Sequence, residues 1–263
     1  MLILTYLLVG ALAGLLAGLF GIGGGIVIVP VLIITFEALK FSPEVLTHMA
    51  VATSLATIAF TSISSVRAHY LKGAVDWPLV AQLSAGILCG AVLGAITADT
   101  LSGADLQFAI GICALIVSVQ MGLGLRPKPS RVLPSKKAMV ASGGIIGWAS
   151  ALFGIGGGAI TVPLLTWFNH PMQRSVATAA ACGFPIAIVG ALSNLVIGWD
   201  SAYLPENSAG YIYLPALAGI VVTSVLFAKV GASLAHKISA EKLKKLFAIL
   251  LVIVAIKFLS VNL

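Results

Sequence analysis

Residues Ala17–Pro30 read AGLFGIGGGIVIVP and residues Ser150–Pro163 read SALFGIGGGAITVP, so one glycine-rich phrase occurs twice. The copies begin at residues 17 and 150, an offset of 133 in a chain of 263 residues. Seven letters in the middle, LFGIGGG, are identical in the two copies. The repeat predicts a chain of two related halves, each with the same glycine-rich break in its backbone.

The composition of the chain is that of a membrane protein. Hydrophobic residues make up 60% and charged residues 9% of the sequence, and the mean hydropathy is +1.12. A soluble domain is about 45–50% apolar and about 25% charged. The excess apolar surface has to face lipid, so we expect a polytopic protein with the bilayer as a partner. The net charge of +7 comes from loops between apolar segments and predicts no nucleic-acid partner.

Ten apolar segments can be read from the sequence, five in each half. A spanning helix needs about 20 apolar residues, and the runs lack the alternation of membrane strands. The second and seventh segments are short and begin at the glycine clusters, which predicts broken or re-entrant helices. The fold class is therefore all-α, with two inverted repeats of five helical segments. The segments lie near 2–20, 24–39, 45–70, 75–97, 104–125, 137–153, 157–168, 172–198, 209–235 and 241–261.

Loop charges predict the orientation of the two halves. The stretch 126–137, RPKPSRVLPSKK, has five basic residues and no acidic one. We read 126–136 as a cytoplasmic linker between a first repeat, 1–125, and a second repeat, 137–263. Basic loops fall on one side of the ten segments and acidic loops on the other. Because five is odd, the halves are inverted, and both termini are expected outside a cytoplasmic membrane.

The glycine clusters are the first candidate binding site. Glycine permits sharp breaks and close approach of a ligand or a second backbone, and the helix that follows presents free N–H groups to an anion. Inverted halves would bring the clusters together near the middle of the bilayer. The alternative is close helix packing; we favour binding. A proline kinks each following helix and suits a gate. The residues are Gly21, Gly23, Gly24, Gly25, Gly154, Gly156, Gly157 and Gly158, with Pro30 and Pro163 as gating residues.

The pattern FGxGGGxxxVPxL, present in both halves, resembles the TauE/SafE family of sulfite and organosulfonate transporters. The Ala52-Thr53-Ser54 stretch and its counterpart Ala177-Thr178-Ala179 resemble a second element of that family. Ala179 stands where serine is usual. The resemblance covers essentially the whole chain. It implies export or uptake of sulfite, sulfonates or related sulfur-containing anions.

Polar residues inside the segments add further candidates. The third segment is rich in hydroxyl groups, and Thr53, Thr57 and Thr61 recur at helical spacing. Such hydroxyls either line a path for the substrate or bond back to their own helix. We take Thr53, Ser54, Thr178 and Asn194 as candidate substrate-binding residues.

Ionisable groups near the segment ends supply candidates for steering and coupling. Charge inside a membrane is costly and usually functional, although long cations near a helix end reach the interface. We expect Arg67 and Arg174 to guide an anion inward, and His69 and His48 to be candidate proton-coupling groups.

The sequence thus predicts a secondary transporter that moves a small sulfur-containing anion by alternating access. The anion would lie near the midplane at two half-helix N-termini. An anion channel and a non-transporting scaffold or sensor stay as alternatives. We expect no enzyme, no catalytic residues, no metal and no cofactor, because neither an HExxH motif nor a GxxxxGK[ST] phosphate-binding motif occurs.

Overall fold

A computed structural model describes residues 2–20, 23–122 and 135–234, and near the C-terminus 248–249, 252–253, 255–256 and 258–259. These four pairs are helical and belong to the tenth predicted segment. Most of residues 126–136 lies outside the described residues. The helices within the described ranges are α1 Leu2–Phe20, α2 Gly25–Ala38, α3 Pro43–Tyr70, α4 Trp77–Thr100, α5 Gly103–Gly122, α6 Lys136–Phe153, α7 Gly158–Trp167, α8 Met172–Ile197 and α9 Leu214–Leu234.

The start of α9 is the largest departure from the predicted boundaries. The segment predicted from residue 209 becomes helical only at Leu214. Before it, the strands β1 Ser208–Ala209 and β2 Ile212–Tyr213 form a small antiparallel hairpin. Gly210 turns this hairpin with a φ of 52°. The apolar run was misread as helix because its first residues pair as strands instead.

The helices α2 and α7 have 14 and 10 residues and start directly after a glycine of their cluster. Each contains its proline, Pro30 or Pro163. Each is followed by a residue with positive φ, Lys40 at 58° and Asn169 at 61°. The two halves therefore contain the same short helix with the same ending.

Helices are exchanged between the halves. The first helix of one half packs along the fourth helix of the other, α1 on α9 and α6 on α4. Glycines make this close approach possible, since a side chain at these positions would overlap a backbone carbonyl of the partner helix. They are Gly10, Gly14 and Gly18 on α1 against α9, and Gly86, Gly90 and Gly94 on α4 against α6.

The distribution of apolar side chains fits a bilayer. Five of the described helices are long and apolar enough to cross a membrane. In α3, 78% of the most apolar window is buried, against 28% in α9, so α3 lies at the centre and α9 at the periphery. Large apolar side chains such as Leu8 and Val196 are exposed by 63% and 70%. The prediction of an all-α polytopic membrane protein is confirmed.

Candidate functional site

The two glycine clusters pack against each other. A Cβ placed on Gly23 would lie 3.0 Å from the Cα of Gly156, and one placed on Gly25 would overlap the carbonyl oxygen of Gly154. The absence of side chains therefore lets two backbone breaks from opposite halves make direct contact. Gly21 lies outside the described residues.

Two glycines of the clusters also have backbone conformations that other residues rarely adopt. Gly24, the N-cap of α2, has a φ of 79°. A Cβ placed on it would lie only 2.6 Å from the carbonyl oxygen of Ala13. Gly154, the C-cap of α6, has a φ of 66°. Close packing is thus a real function of the clusters, and binding by them stays a prediction.

Both short helices begin where the two glycine clusters touch, a place that we call the crossing. The Gly24 carbonyl accepts from the N–H groups of Val27 and Ile28 at 3.0 and 3.1 Å, so within α2 the N–H groups that precede Val27 are the ones left without an intrahelical acceptor. The Gly157 carbonyl accepts from Ile160 and Thr161 at 3.1 and 2.8 Å in α7. Two positive helix ends of opposite halves therefore lie close to one point.

A small polar cavity opens beside Gly23. It lies between α1, α3 and α8 and has a volume of about 210 Å³ including its opening. Ser65 is 2% exposed, and its hydroxyl, which lines the cavity, has no hydrogen-bond partner among the described residues. The cavity-lining residues are Ala17, Gly23, Ser62, Ser65, Ala180 and Gly183.

A second, apolar cavity of about 330 Å³, also measured with its opening, lies on another side of the crossing. Gly25, Pro30 and Ile155 line it together with residues of α5. The cavity therefore borders the segment of α2 that contains Pro30.

The predicted binding residues Thr53 and Thr178 make matching structural hydrogen bonds. Thr53 accepts from the N–H of Tyr213 at 2.9 Å, just before α9. Thr178 accepts from the N–H of Asp76 at 3.1 Å, just before α4. Since α4 and α9 are the corresponding helices of the halves, the two threonines tie equivalent points together.

The candidate residues Ser54 and Asn194 also make hydrogen bonds within the fold. Ser54 donates to the carbonyl oxygen of Gly154 at 2.7 Å and so fastens α3 to the second glycine cluster. Asn194 is 2% exposed and donates to the carbonyl of Gly190, on its own helix, at 2.8 Å. Ser54 therefore ties two elements together, whereas Asn194 is satisfied within α8.

The predicted hydroxyl face of α3 bonds mainly to its own helix and to α9. Thr57 and Thr61 donate to the carbonyls four residues before them, at 2.8 and 3.0 Å. Thr61 also pairs with the Ser224 hydroxyl at 2.8 Å. The hydroxyls at the cavity belong instead to Ser62 and Ser65, which the helical-spacing argument did not select.

The structure does not bring the four ionisable candidates together at the crossing. Arg67 and Arg174 are exposed, at the last turn of α3 and the first turn of α8. His69 is buried at the end of α3. His48 is buried near the start of α3, with its Nε2 3.0 Å from the carbonyl oxygen of Ala98. Steering and proton coupling by these residues stay predictions.

One histidine–carboxylate contact does not follow from the sequence patterns considered above. His170 follows α7, and its Nε2 lies 3.2 Å from Oδ2 of Asp76, the N-cap of α4. In the first half, Phe41 follows α2 and contacts Tyr213 before α9, with ring centroids 5.2 Å apart. The two contacts occupy corresponding places, one a hydrogen bond and one aromatic. Comparing the loops after the two short helices would have singled out His170 opposite Phe41, whereas its partner Asp76 is evident only in the fold.

A contact between a tyrosine and a carboxylate joins the hairpin before α9 to the end of α4. The Tyr211 hydroxyl donates to Oδ1 of Asp99 at 3.0 Å. Burial, and next the negative charge of Asp99, raise the pKa of Tyr211 to about 12. The phenol therefore keeps its proton and the bond over the physiological pH range. Within the described ranges no group of three His, Cys, Asp or Glu side chains is placed to hold a metal ion.

Comparison with known proteins assigns this architecture. The sulfite exporter TauE/SafE family matches residues 6–258. A probable membrane transporter protein of Haemophilus influenzae is 40% identical over 263 residues, covering 97% of both chains. A probable membrane transporter protein of Methanocaldococcus jannaschii is 29% identical and covers 90% of this chain and 88% of its own. The relative YunE of Bacillus subtilis is 26% identical over 93% of both chains.

No solved structure matches the chain. The family match spans nearly the entire sequence and includes both glycine clusters. The relatives just described are named as membrane transporters. The chain is a membrane transporter and belongs to the sulfite exporter TauE/SafE family.

Proposed function

We propose that the protein is a secondary transporter that carries a small sulfur-containing anion, sulfite or an organosulfonate, across the cytoplasmic membrane. The observation that carries this proposal is the crossing of the two glycine clusters, at which a helix of each half begins. Corresponding helix breaks in two repeats are typical of substrate sites in secondary transporters.

The electrostatics of the crossing favour an anion. Each helix N-terminus carries a partial positive charge of about half an elementary charge, and α2 and α7 both begin here. Backbone amides at such ends hydrogen-bond sulfonate and sulfite oxygens as they do phosphate oxygens. The family match to sulfite exporters supports a sulfur-containing anion.

Alternating access follows from the way the short helices are attached. At the crossing, glycine packs on glycine, and inside each short helix a proline removes one backbone hydrogen bond. The pairs α1–α9 and α4–α6 are packed along glycine stripes, and in this proposal they form the stationary scaffold. Movement of α2 or α7 against these pairs would open the crossing first to one side and then to the other.

Counterflow in proteoliposomes tests the proposal. Vesicles containing the purified protein are loaded with unlabelled sulfite and placed in a small amount of labelled sulfite. A carrier that exchanges sulfite accumulates the label transiently above its equilibrium level. Vesicles prepared without protein give the passive leak.

The alternatives predict different outcomes of this assay. When equal K⁺ concentrations and valinomycin hold the membrane potential at zero, an anion channel lets the label equilibrate without transient accumulation, because its continuous pore does not exchange one anion for another. A scaffold or sensor gives only the passive leak with sulfite, sulfonates and thiosulfate alike. Either result overturns the proposed function.

A further inference from the structure

Within the described ranges, the residues of α3 and α8 that line the cavity beside Gly23 differ in type from their counterparts in the other half. The repeat aligns α3 with α8 at an offset of 125 residues, as Thr53 and Thr178 show by their equivalent bonds. At this offset Ser62 and Ser65 correspond to Ala187 and Gly190. The hydroxyls thus belong to a single site and not to a pair.

The corresponding space in the other half is filled. Ala180 and Gly183 correspond to Leu55 and Ile58, which are both fully buried. A Cβ on Gly190 would lie 2.9 Å from Cδ1 of Leu55. Large side chains therefore stand at the two α3 positions that correspond to the alanine and glycine of the cavity, and Leu55 packs where the described part of the second half would have its counterpart.

Ser65 gives this cavity an unused donor. A buried hydroxyl without a partner is costly unless a ligand or water satisfies it. Ser65 is 2% exposed with an unpartnered hydroxyl, and Ser62 lines the same cavity and is 4% exposed. The positive end of α2 begins two residues after Gly23.

We propose that this cavity is the substrate site of the transporter and that it takes one singly charged sulfo group, either bisulfite or a sulfonate, on the hydroxyls of Ser62 and Ser65. The inference rests on the proposed function and specifies the charge and number of its substrate. Among the described residues, none that lines the cavity is charged. Because the cost of burying an ion rises with the square of its charge, two hydroxyls and a helix end favour a monoanion over sulfate.

Gly183 limits the size of the anion that the cavity can hold. The enclosed part of the cavity is no larger than a water molecule, so α8 has to shift before an anion fits. Pro185 supplies the break, since it removes the hydrogen bond to the Ala181 carbonyl. A Cβ on Gly183 would lie 3.6 Å from the Ser62 hydroxyl oxygen and meets no other heavy atom within 4 Å. Gly183→Ala therefore leaves the fold intact and narrows the cavity alone.

The test of charge uses competition in the counterflow assay. Methanesulfonate keeps a single negative charge between pH 6 and pH 8.5, whereas sulfite loses its second proton near neutral pH. We expect methanesulfonate to inhibit uptake of labelled sulfite equally at every pH and sulfate to inhibit at none. The KM for total sulfite should rise by about tenfold per pH unit above neutrality, as the bisulfite fraction falls.

The test of the site uses matched variants of α3 and α8. Removing a hydroxyl that bonds an anion should raise the KM by about 10- to 100-fold in Ser65→Ala and Ser62→Ala. Ser64→Ala is the control, because its hydroxyl donates to the carbonyl of Val225 at 2.8 Å and is directed to α9. Gly183→Ala should raise the KM for sulfonates with longer carbon chains more than the KM for bisulfite, because its methyl group occupies part of the cavity.

The outcomes separate this site from the proposed function. No counterflow by the wild-type protein with any sulfur anion overturns the function itself. Normal wild-type counterflow with an unchanged KM in both Ser65→Ala and Ser62→Ala overturns the site and leaves the transporter. Inhibition by sulfate as strong as that by methanesulfonate overturns the preference for a single charge.

Discussion

Glycine has three different structural roles in this protein, and the sequence alone does not show which role each glycine has. Gly24 needs a positive φ and touches a backbone carbonyl. Gly90 has a helical backbone but packs against another helix, and Gly183 borders open space. Substitution by alanine distinguishes these roles, because the Cβ that it adds points in a direction fixed by the backbone.

We expect Gly24→Ala to lower the stability of the folded protein substantially. An L residue at positive φ costs roughly 1–2 kcal/mol, and forcing a methyl group against the Ala13 carbonyl adds about 1–3 kcal/mol. Thermal unfolding in detergent, followed by circular dichroism, measures the loss.

Gly73→Ala is the control for backbone conformation alone. Gly73 has a φ of 62°, and a Cβ there meets nothing within 4 Å. Its substitution should cost only the roughly 1–2 kcal/mol of the left-handed conformation. Equal losses in Gly24→Ala and Gly73→Ala would contradict the close packing of the first cluster.

At the scale of elements, α4 and α6 are held together along a glycine-lined contact, which we call the seam. We expect Gly90→Ala to disturb it, since a Cβ there would overlap the carbonyl of Gly144. Two backbones cannot yield as side chains do, so the cost should reach the upper end of the about 1–3 kcal/mol seen for overpacking. The melting temperature in detergent is the measurement.

Gly144 provides a control on the facing helix. A Cβ on Gly144 has its nearest neighbour, the carbonyl oxygen of Gly86, at 3.9 Å. Because alanine favours a helix by up to about 1 kcal/mol over glycine, Gly144→Ala should keep or raise the melting temperature. If Gly144→Ala destabilises as much as Gly90→Ala, the seam is not packed as described.

The sequence predicts the helices well and their partners poorly. Boundaries follow from apolar length and from glycine, proline and charge, and for α1 to α9 as the structure describes them they agree within three residues except where α9 begins. Hydrogen-bond partners of Thr53 and Thr178 lie more than 100 residues away and leave no local pattern. The cavity escaped prediction because it depends on which half has leucine and isoleucine and which has alanine and glycine, a comparison between helices.

At the scale of the whole molecule, the predicted orientation remains to be tested. Arg174 and Glu206 are exposed at opposite ends of the α8 region. We expect Arg174→Cys to react from the cytoplasmic side and Glu206→Cys from the outside, because basic loops stay inside. An impermeant maleimide on intact cells and on inverted vesicles measures this in a background without Cys89, Cys113 and Cys182.

Reaction of both cysteines from one side would show that α8 does not span the membrane. Reaction of each from the side opposite to the expected one would retain the span and reverse the assignment of the termini. An outward location of both termini depends on this result.

The exchange of helices between the halves also sets the order of events during synthesis. The glycine stripe of α1 has its packing partner in α9, and 193 residues separate Phe20 from Leu214. At about 5–20 residues per second, α1 waits on the order of 10–40 s before that partner leaves the ribosome. During this interval its small-residue face is open to lipid or to insertion factors. The nascent chain becomes a transporter only when its last quarter arrives, and a ribosome that stops early leaves α1 unpaired in the membrane.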